Sequence, residues 1–298
     1  MGDYHLHIHP HKPTPGAPPP GTFPADYIER YVEVALSRGA MEVGFVEHLY
    51  RCRESQPVLG QWWKQDRHAH LVAEMDEIMA RELDMSLDDY VTAILDAKAR
   101  GLPVKLGLEV DFEPGTEQAV MELIEPYPWD YLIGSVHWLG AWWFLRPGAP
   151  AEYERRGVRR AFEEYFDLFT GLARAGMVDV LGHADVIKVH GFVPEGDLGD
   201  LYRPVVEAAA THGTAVEISS QGLLRTISEI YPAPGFLQLF REAGVPITLG
   251  SDAHSPDESA FGYSDVIAAA RRAGYTHYLR FDRRRPIPTP LPELASAR

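Results

Sequence analysis

The stretch Val245-Pro246-Ile247-Thr248-Leu249-Gly250 decides the fold class, and Ser251-Asp252-Ala253-His254 follows it directly. An apolar run of this length, rich in β-branched residues, is typical of a strand buried on both faces of a parallel sheet. The polar residues at its end indicate chemistry at the carboxyl end of the strand, where α/β enzymes build their sites.

Similar strand-like runs alternate with helix-like patterns along the chain. Strands are predicted at residues 3–8, 41–46, 104–111, 130–136, 178–182, 214–219, 245–250 and 277–281. Helices are predicted at residues 24–38, 86–100, 116–124, 151–175, 198–212, 234–243 and 264–273. Seven βα units with a closing strand indicate an α/β fold of the parallel (β/α) barrel type.

The chain is expected to form a single barrel domain over residues 1–298, with two elaborations. Residues 13–24, which contain Pro18-Pro19-Pro20, predict a stiff surface loop after the first strand. Residues 50–82, which contain Trp62-Trp63, predict an inserted loop and helix after the second strand. The Trp62-Trp63 and Trp142-Trp143 pairs fit packing or pocket walls better than cofactor stacking.

The charge balance restricts the expected partners. With 28 basic and 43 acidic residues, the formal charge of −15 disfavours binding to nucleic acid or to an anionic membrane surface. The hydrophobic fraction of 45% is ordinary for a globular protein. A lone cysteine, Cys52, and an N-terminus without signal features predict a cytoplasmic protein. The sequence leaves open whether the chain forms homo-oligomers.

Histidine and carboxylate side chains follow six of the predicted strands. Residues two apart on a strand share a face, so both imidazoles of one such pair can reach the same ion. Burying this many ionisable groups is costly unless they coordinate something, and mixed nitrogen and oxygen ligands suit zinc, iron or manganese. The residues are His5 and His7, Glu47-His48, Glu109-Val110-Asp111, His137, His183 with Asp185, and Asp252 with His254.

These residues resemble the motif series of the PHP (polymerase and histidinol phosphatase) family, and most closely its monofunctional histidinol-phosphate phosphatase branch. The resemblance implies a distorted (β/α)7 barrel with metals at the carboxyl ends of its strands. The motifs are Asp3-Tyr4-His5-Leu6-His7, Val46-Glu47-His48, Gly107-Leu108-Glu109-Val110-Asp111-Phe112, Ile133-Gly134-Ser135-Val136-His137, Leu181-Gly182-His183-Ala184-Asp185 and Gly250-Ser251-Asp252-Ala253-His254.

The resemblance also implies two or three divalent transition-metal ions, which are zinc, iron or manganese. Adjacent ions of this kind clamp a phosphate ester and activate water for in-line attack. Asp252 and His254 are assigned the catalytic role. The implied ligands are His5, His7, Glu109 and Asp252 for the first ion, Glu109, His137 and His183 for the second, and His48 and His254 for the third.

The third ion requires one more ligand, from the loop after the first strand. The histidine that the branch has there falls on Pro13, and this chain offers His9 and His11 instead. His11 is favoured as the ligand, because Pro10 turns the chain towards it. His9 is then a substrate contact or the alternative ligand, and a solvent-exposed place for both is the remaining interpretation.

Two basic residues are candidates for binding the phosphate. The arginine that the branch has after its sixth strand falls on Leu224, with Arg225 one place later, and Lys188 occupies the other basic position. Lysine keeps the charge of an arginine but loses its two-pronged hydrogen bonding. The chain also differs from the branch at Glu47, where the branch has an aspartate. Glu47 precedes the implied ligand His48 and is not itself an implied ligand.

The expected activity is that of a metal-dependent phosphomonoesterase which hydrolyses L-histidinol phosphate to L-histidinol and phosphate in histidine biosynthesis. A first alternative is a PHP-type phosphatase or phosphodiesterase for another small phosphorylated metabolite, which the Trp-rich loop and the shifted Arg225 favour. A second alternative is a non-catalytic metal-binding PHP module. Such modules lose ligands, whereas this chain keeps them.

Overall fold

The computed structural model describes residues 1–9, 16–146 and 148–293, and seven parallel strands form the centre of the molecule. The strands are β1 (Gly2–Leu6), β2 (Glu42–Phe45), β3 (Val104–Asp111), β4 (Tyr131–Ser135), β5 (Trp138–Leu139), β6 (Trp142–Trp143), β7 (Val180–Leu181), β8 (Ala215–Ser219), β9 (Ile247–Gly250), β10 (His277–Asp282) and β11 (Arg285–Pro290). The order of the seven parallel strands in the sheet is β1-β2-β3-β4-β7-β8-β9, which follows the chain as in a (β/α) barrel.

Helices cover the outside of the sheet and largely match the predicted ranges. The helices are α1 (Ala25–Ser37), α2 (Gln56–Leu59), α3 (Ala69–Glu82), α4 (Leu87–Ala99), α5 (Glu117–Ile124), α6 (Pro150–Arg156), α7 (Val158–Ala175), α8 (Gly199–His212), α9 (Pro234–Glu242) and α10 (Tyr263–Arg272). Ser86 caps α4 by accepting a hydrogen bond from the Asp89 N–H, and Gly213 ends α8 in the left-handed conformation.

The single helix predicted at residues 151–175 is wrong, because the structure divides it into α6 and α7. Gly157 separates the two with φ of 84°, a backbone conformation outside the right-handed helical region.

No helix within the described ranges is long and apolar enough to cross a lipid bilayer.

The first strand meets the end of the last barrel strand and nearly closes the barrel. The His7 N–H donates to the Ala253 carbonyl at 2.8 Å, and the Ala253 N–H donates to the His5 carbonyl at 3.2 Å. The residues just after β9 therefore lie beside β1. The predicted (β/α)7 barrel is confirmed.

The closing strand predicted at residues 277–281 is wrong. These residues begin β10, which pairs with β11 in an antiparallel hairpin outside the seven-stranded sheet. The segment after β9 already occupies the place beside β1. The hairpin instead packs against the amino-terminal end of the barrel, where the Phe281 ring stacks on Tyr131 at 5.6 Å between centroids.

Tyr131 fills the amino-terminal part of the barrel because β2 and β3 provide glycines beside it. A Cβ atom at Gly107 would lie 2.7 Å from the Tyr131 Cζ, and one at Gly44 would collide with the Tyr131 Oη. The hydroxyl donates to the Tyr4 carbonyl at 2.7 Å. Gly44 and Gly107 thus make room for a buried tyrosine that connects three strands with the C-terminal hairpin.

The predicted insertion at residues 50–82 consists of short turns, α2 and α3. Trp62 stacks on Trp138 of β5 with 4.4 Å between ring centroids, so the insertion packs against the short β5–β6 hairpin. The proline-rich loop predicted at residues 13–24 lies partly outside the described residues. Its remainder, residues 16–24, contains no regular element.

We expect Gly44→Ala to lower the free energy of unfolding by about 1–3 kcal/mol, the usual cost of forcing extra atoms into a packed interior. The cost should be smaller in a Tyr131→Phe background, where the colliding oxygen is gone. Urea denaturation of the four proteins of this double-mutant cycle measures the coupling. Gly235→Ala, which meets open space in α9, is the control and should not destabilise the protein. Strict additivity of the two changes would contradict the steric explanation.

Candidate metal centre

One buried carboxylate, that of Glu109 on β3, is the centre of the candidate site. Its side chain is fully buried, and Ser135 donates a hydrogen bond to the Oε1 atom at 2.5 Å. Five imidazole rings have a nitrogen atom within 3.6 Å of this carboxylate, those of His5, His7, His48, His137 and His183. Histidines from four different segments, two of them from the first strand and its end, therefore converge on a single side chain.

The first predicted ligand set is brought together. His5, His7 and Asp252 offer ligand atoms that all lie within 4.8 Å of one another. The Asp252 Oδ1 lies 3.5 Å from the His5 Nε2 and 3.3 Å from the His7 Nε2. The contact of β1 with the end of β9 makes this possible, since it places the first motif beside the last.

The second predicted set also converges. The Oε1 atom of Glu109 lies 3.0 Å from the His183 Nε2 and 3.3 Å from the His137 Nε2. The two imidazole nitrogens of His137 and His183 are 3.4 Å apart. Asp111 lies behind this pair, with its Oδ1 atom 2.6 Å from the His137 Nδ1, and so fixes the orientation of that ring.

The third predicted pair, His48 and His254, forms a group with His7. The His7 ring stacks on His48 at 4.3 Å and on His254 at 4.5 Å between centroids. His7 therefore adjoins both the first and the third ligand groups. His254 is the most exposed ring of its group, with 13% of its side chain accessible.

Sequence reasoning missed Glu217 on β8. Its Oε1 atom lies 2.8 Å from the His5 Nδ1, and its Oε2 accepts a hydrogen bond from the His183 N–H at 2.8 Å. Gly250 is required beside it, because a Cβ there would collide with the Glu217 carboxylate. A carboxylate within the otherwise apolar run Ala215-Val216-Glu217-Ile218 was the available signal, since such a group is costly to bury without partners.

The backbone at two cluster residues adopts an unfavourable conformation. His183 has φ of 23° and Asp252 has φ of 52°, in the left-handed region that residues other than glycine seldom adopt. Such strain persists only where surrounding contacts enforce it, and it is common at functional sites. Here it turns both side chains at the strand ends into the cluster.

Burial and neighbouring charges favour the ligand forms of His7 and Glu109, whereas burial is outweighed by the nearby carboxylates at His5 and His137, whose pKa values are raised. Burial lowers the pKa of His7 well below its usual value, and the charges of His48 and His254 lower it further. Burial alone would raise the pKa of Glu109, but the imidazoles of His48, His137 and His5 outweigh it and hold the pKa well below the usual value. Neutral imidazole beside ionised carboxylate is the form in which both residues bind metals.

The arrangement fits transition-metal ions. The His5 and His7 Nε2 atoms are 3.1 Å apart and point at the same place, close to carboxylate oxygens. Nitrogen lone pairs that face one another repel unless a proton or a cation lies between them. Buried imidazole nitrogens and carboxylate oxygens are the donors that zinc, iron and manganese accept.

His9 lies beside the cluster without entering any of the ligand groups. It is 1% exposed, its N–H donates to the Glu47 Oε1 at 3.2 Å, and its ring meets Phe23 edge-on. The Arg51 guanidinium donates to the His9 carbonyl at 3.2 Å, so the main chain of His9 is held from both sides. His11, the other candidate for the third ion, lies outside the described residues.

The two predicted phosphate-binding residues have different environments. Lys188 is buried, and its ammonium contacts Asp185 at 3.0 Å, Glu229 at 2.7 Å and the Ile230 carbonyl at 3.3 Å. These three acceptors match its three N–H donors, so a phosphate would have to displace one of them. Arg225 is exposed, directly after the turn that follows β8.

Comparisons with known proteins agree with this architecture. A family model described as PHP domain matches residues 24–221. A "Probable histidinol-phosphatase" of Deinococcus radiodurans is 33% identical over 244 residues, which cover 82% of this chain and 86% of that relative. A relative of the same name from Schizosaccharomyces pombe is 22% identical over 268 residues, covering 84% of this chain and 82% of the relative.

A solved structure shows the same fold. It is the crystal structure of histidinol phosphate phosphatase from Lactococcus lactis, complexed with zinc, L-histidinol and phosphate. The two chains superpose with a TM-score of 0.65 over 96% of this chain and 98% of the other, at 19% identity.

Proposed function

The chain belongs to the PHP family, and from this premise we propose that it is a metal-dependent phosphomonoesterase that hydrolyses L-histidinol phosphate to L-histidinol and phosphate. The observation that carries the proposal is the buried Glu109 carboxylate in contact with five imidazoles at the carboxyl end of the barrel. The histidinol-phosphatase name of the relative at 33% identity supports the choice of substrate.

We assign two or three divalent ions (zinc, iron or manganese) to this centre. Bound there, such ions supply Lewis acidity to a phosphoryl oxygen and to water. Glu109 would be shared between the first two ions. The proposed ligands are His5, His7, Glu109 and Asp252 for the first ion, Glu109, His137 and His183 for the second, and His48 and His254 with His11 for the third.

The residues around the ligands keep them in place. Glu217 holds the His5 ring and the His183 main chain, and Asp111 holds the His137 ring, so the ligand atoms are in position before substrate arrives. Fixed geometry of this kind lowers the reorganisation needed during the reaction. Outer contacts of metal-binding histidines commonly have this role.

Asp252 and His254 are the proposed catalytic pair because they lie on the open side of the cluster. Their side chains are 7% and 13% accessible, whereas those of His5, His7 and Glu109 are fully enclosed. A phosphate ester entering from solvent would meet these two side chains first. The Asp252 carboxylate would accept a hydrogen bond from the attacking water and so orient it, and the His254 ring would border the reacting phosphate.

Arg225 is the proposed phosphate contact from solvent. Burial and the charge of Asp185 raise the pKa of Tyr231, and the charge of Arg225 opposes this rise; the Lys188 ammonium lies 5.4 Å from the centre of the same ring. Lys188 would support the phosphate by exchanging its bond to Glu229, the most exposed of its three acceptors. His9 is the proposed further substrate contact beside the third ion.

A second candidate is a PHP-type phosphatase for another small phosphorylated metabolite. The exposed place of Arg225 favours it. The same chemistry would act on a different leaving group.

A cytoplasmic location is proposed for either enzyme, in keeping with the buried free thiol of Cys52.

We expect metal-analysed protein to release phosphate from L-histidinol phosphate faster than from other small phosphate monoesters, and a chelator to abolish the activity. His137→Ala should lower the rate by about 100-fold or more, since even outer contacts of metal-binding histidines contribute 10–100-fold. His212→Ala, an exposed histidine at the end of α8, is the matched control. Full activity in the chelator, or equal activity of the two variants, would refute the assignment. A different preferred ester would support the second candidate, and no hydrolysis of any ester would indicate a non-catalytic module.

The ligand from the loop after β1 is identified by metal stoichiometry. His11→Ala is expected to lose one ion and to keep the ions held by His5 and His7, because the ring of His9 faces Glu47 and Phe23 instead of a ligand group. His9→Ala should keep all ions and raise KM. Elemental analysis of both variants checks this, and selective loss of an ion in His9→Ala would reverse the assignment.

Arg225→Ala is expected to lower kcat/KM for phosphate esters about tenfold or more, the scale of one lost hydrogen bond to a charged group. The loss should appear mainly in KM if the contact is equal in ground and transition states. Steady-state kinetics measure it, with Arg174→Ala, an exposed arginine at the end of α7, as the control. Unchanged kinetics would show that Arg225 has no contact with substrate.

A further inference from the structure

The insertion at residues 50–82 encloses a cavity that the chemistry described so far does not use. Its volume is about 260 Å³, and Tyr50, Leu59, Trp62, Trp63 and Met79 are among its walls. The volume is too small for an ordinary whole ligand but suits a single ring. Most of the wall is apolar or aromatic, which favours a flat, weakly polar occupant.

Two hydrogen-bonding groups of this wall have no partner among the described residues. The Tyr50 hydroxyl belongs to a side chain that is 1% exposed, and the Trp62 indole nitrogen is likewise buried. The neighbouring Trp63 indole differs, because it donates to Asp76 at 2.7 Å. A buried donor without an acceptor is destabilising, so Tyr50 and Trp62 indicate a bound group that accepts hydrogen bonds.

The aromatic wall adjoins the metal centre. The Tyr50 ring lies 5.1 Å from the His48 ring and 5.5 Å from the Trp138 ring. Trp138 directly follows His137 in the chain, and Trp62 stacks on it at 4.4 Å. The organic part of a molecule whose phosphate lies at the cluster can therefore reach these rings.

We propose that Tyr50 and Trp62 bind the heteroaromatic leaving group of the substrate and determine specificity for it, an inference that rests on the proposed function. The imidazole ring of L-histidinol phosphate is flat, stacks on indole and phenol rings, and accepts a hydrogen bond at its unprotonated nitrogen. It meets both requirements of the wall at once. The insertion then selects the ester, and the barrel hydrolyses it.

Two substrates that differ only in the ring test this proposal. L-Alaninol phosphate has the amino-alcohol phosphate of L-histidinol phosphate without the imidazole. Trp62→Ala is expected to lower kcat/KM for L-histidinol phosphate about tenfold, and Tyr50→Phe about threefold to tenfold, the scale of a lost ring contact or neutral hydrogen bond. The kcat/KM for L-alaninol phosphate should stay within about twofold of the wild-type value in each variant.

Control variants separate binding from folding. Tyr127→Phe removes an exposed tyrosine hydroxyl that bonds to Asp88, and it should leave both substrates unaffected. Trp62→Phe keeps an aromatic ring and should restore part of the preference if Trp62→Ala is unstable. An equal decrease for both substrates, or an unchanged ratio, would overturn the proposal.

A binding measurement distinguishes this proposal from the proposed function. Calorimetric titration with L-histidinol needs no turnover and should show weaker binding to Tyr50→Phe than to the wild type or to Tyr127→Phe. Equal binding to all three would overturn the role of Tyr50 even in an active enzyme. Wild-type protein that releases no phosphate from L-histidinol phosphate would instead refute the proposed function.

Discussion

The Glu109 carboxylate, enclosed by five imidazoles, is the constraint to which the rest of the carboxyl end of the barrel is fitted. An isolated charge at this depth would be strongly unfavourable, so its partners must lie at fixed distances. Glu217 and Asp111 secure two of those partners from behind. The backbone of His183 and Asp252 also adopts an unfavourable positive φ, which directs both side chains into this cluster.

The two ends of the barrel have different roles, one in stability and the other in function. At the amino end, Tyr131 fills the interior and stacks on Phe281 of the C-terminal hairpin, so packing there serves stability. At the carboxyl end, ionisable side chains converge and the Trp-rich insertion stands beside them. This division is typical of α/β barrels, because parallel strands bring their carboxyl ends to one face.

Most strands were predictable because buried parallel strands are apolar and end in abrupt polar motifs, as Val104–Asp111 does. The role of the residues 277–281 was not predictable. A strand-like pattern shows that a segment is extended but not what it pairs with, and its partner β11 contains three prolines that obscure the pattern. The β5–β6 hairpin was also missed, since its two-residue strands are too short for periodicity to show.

The sequence by itself determined which residues could form the centre, because ligand-type side chains at successive parallel strand ends must meet at one rim. Only the tertiary structure decided how these side chains are arranged around the centre. It made Glu109 central, brought in Glu217 from within a strand, and surrounded Lys188 with acceptors. It also joined Tyr50 and Trp62 in one wall. Distances between segments far apart in the chain depend on barrel closure and packing, which no local pattern of residues contains.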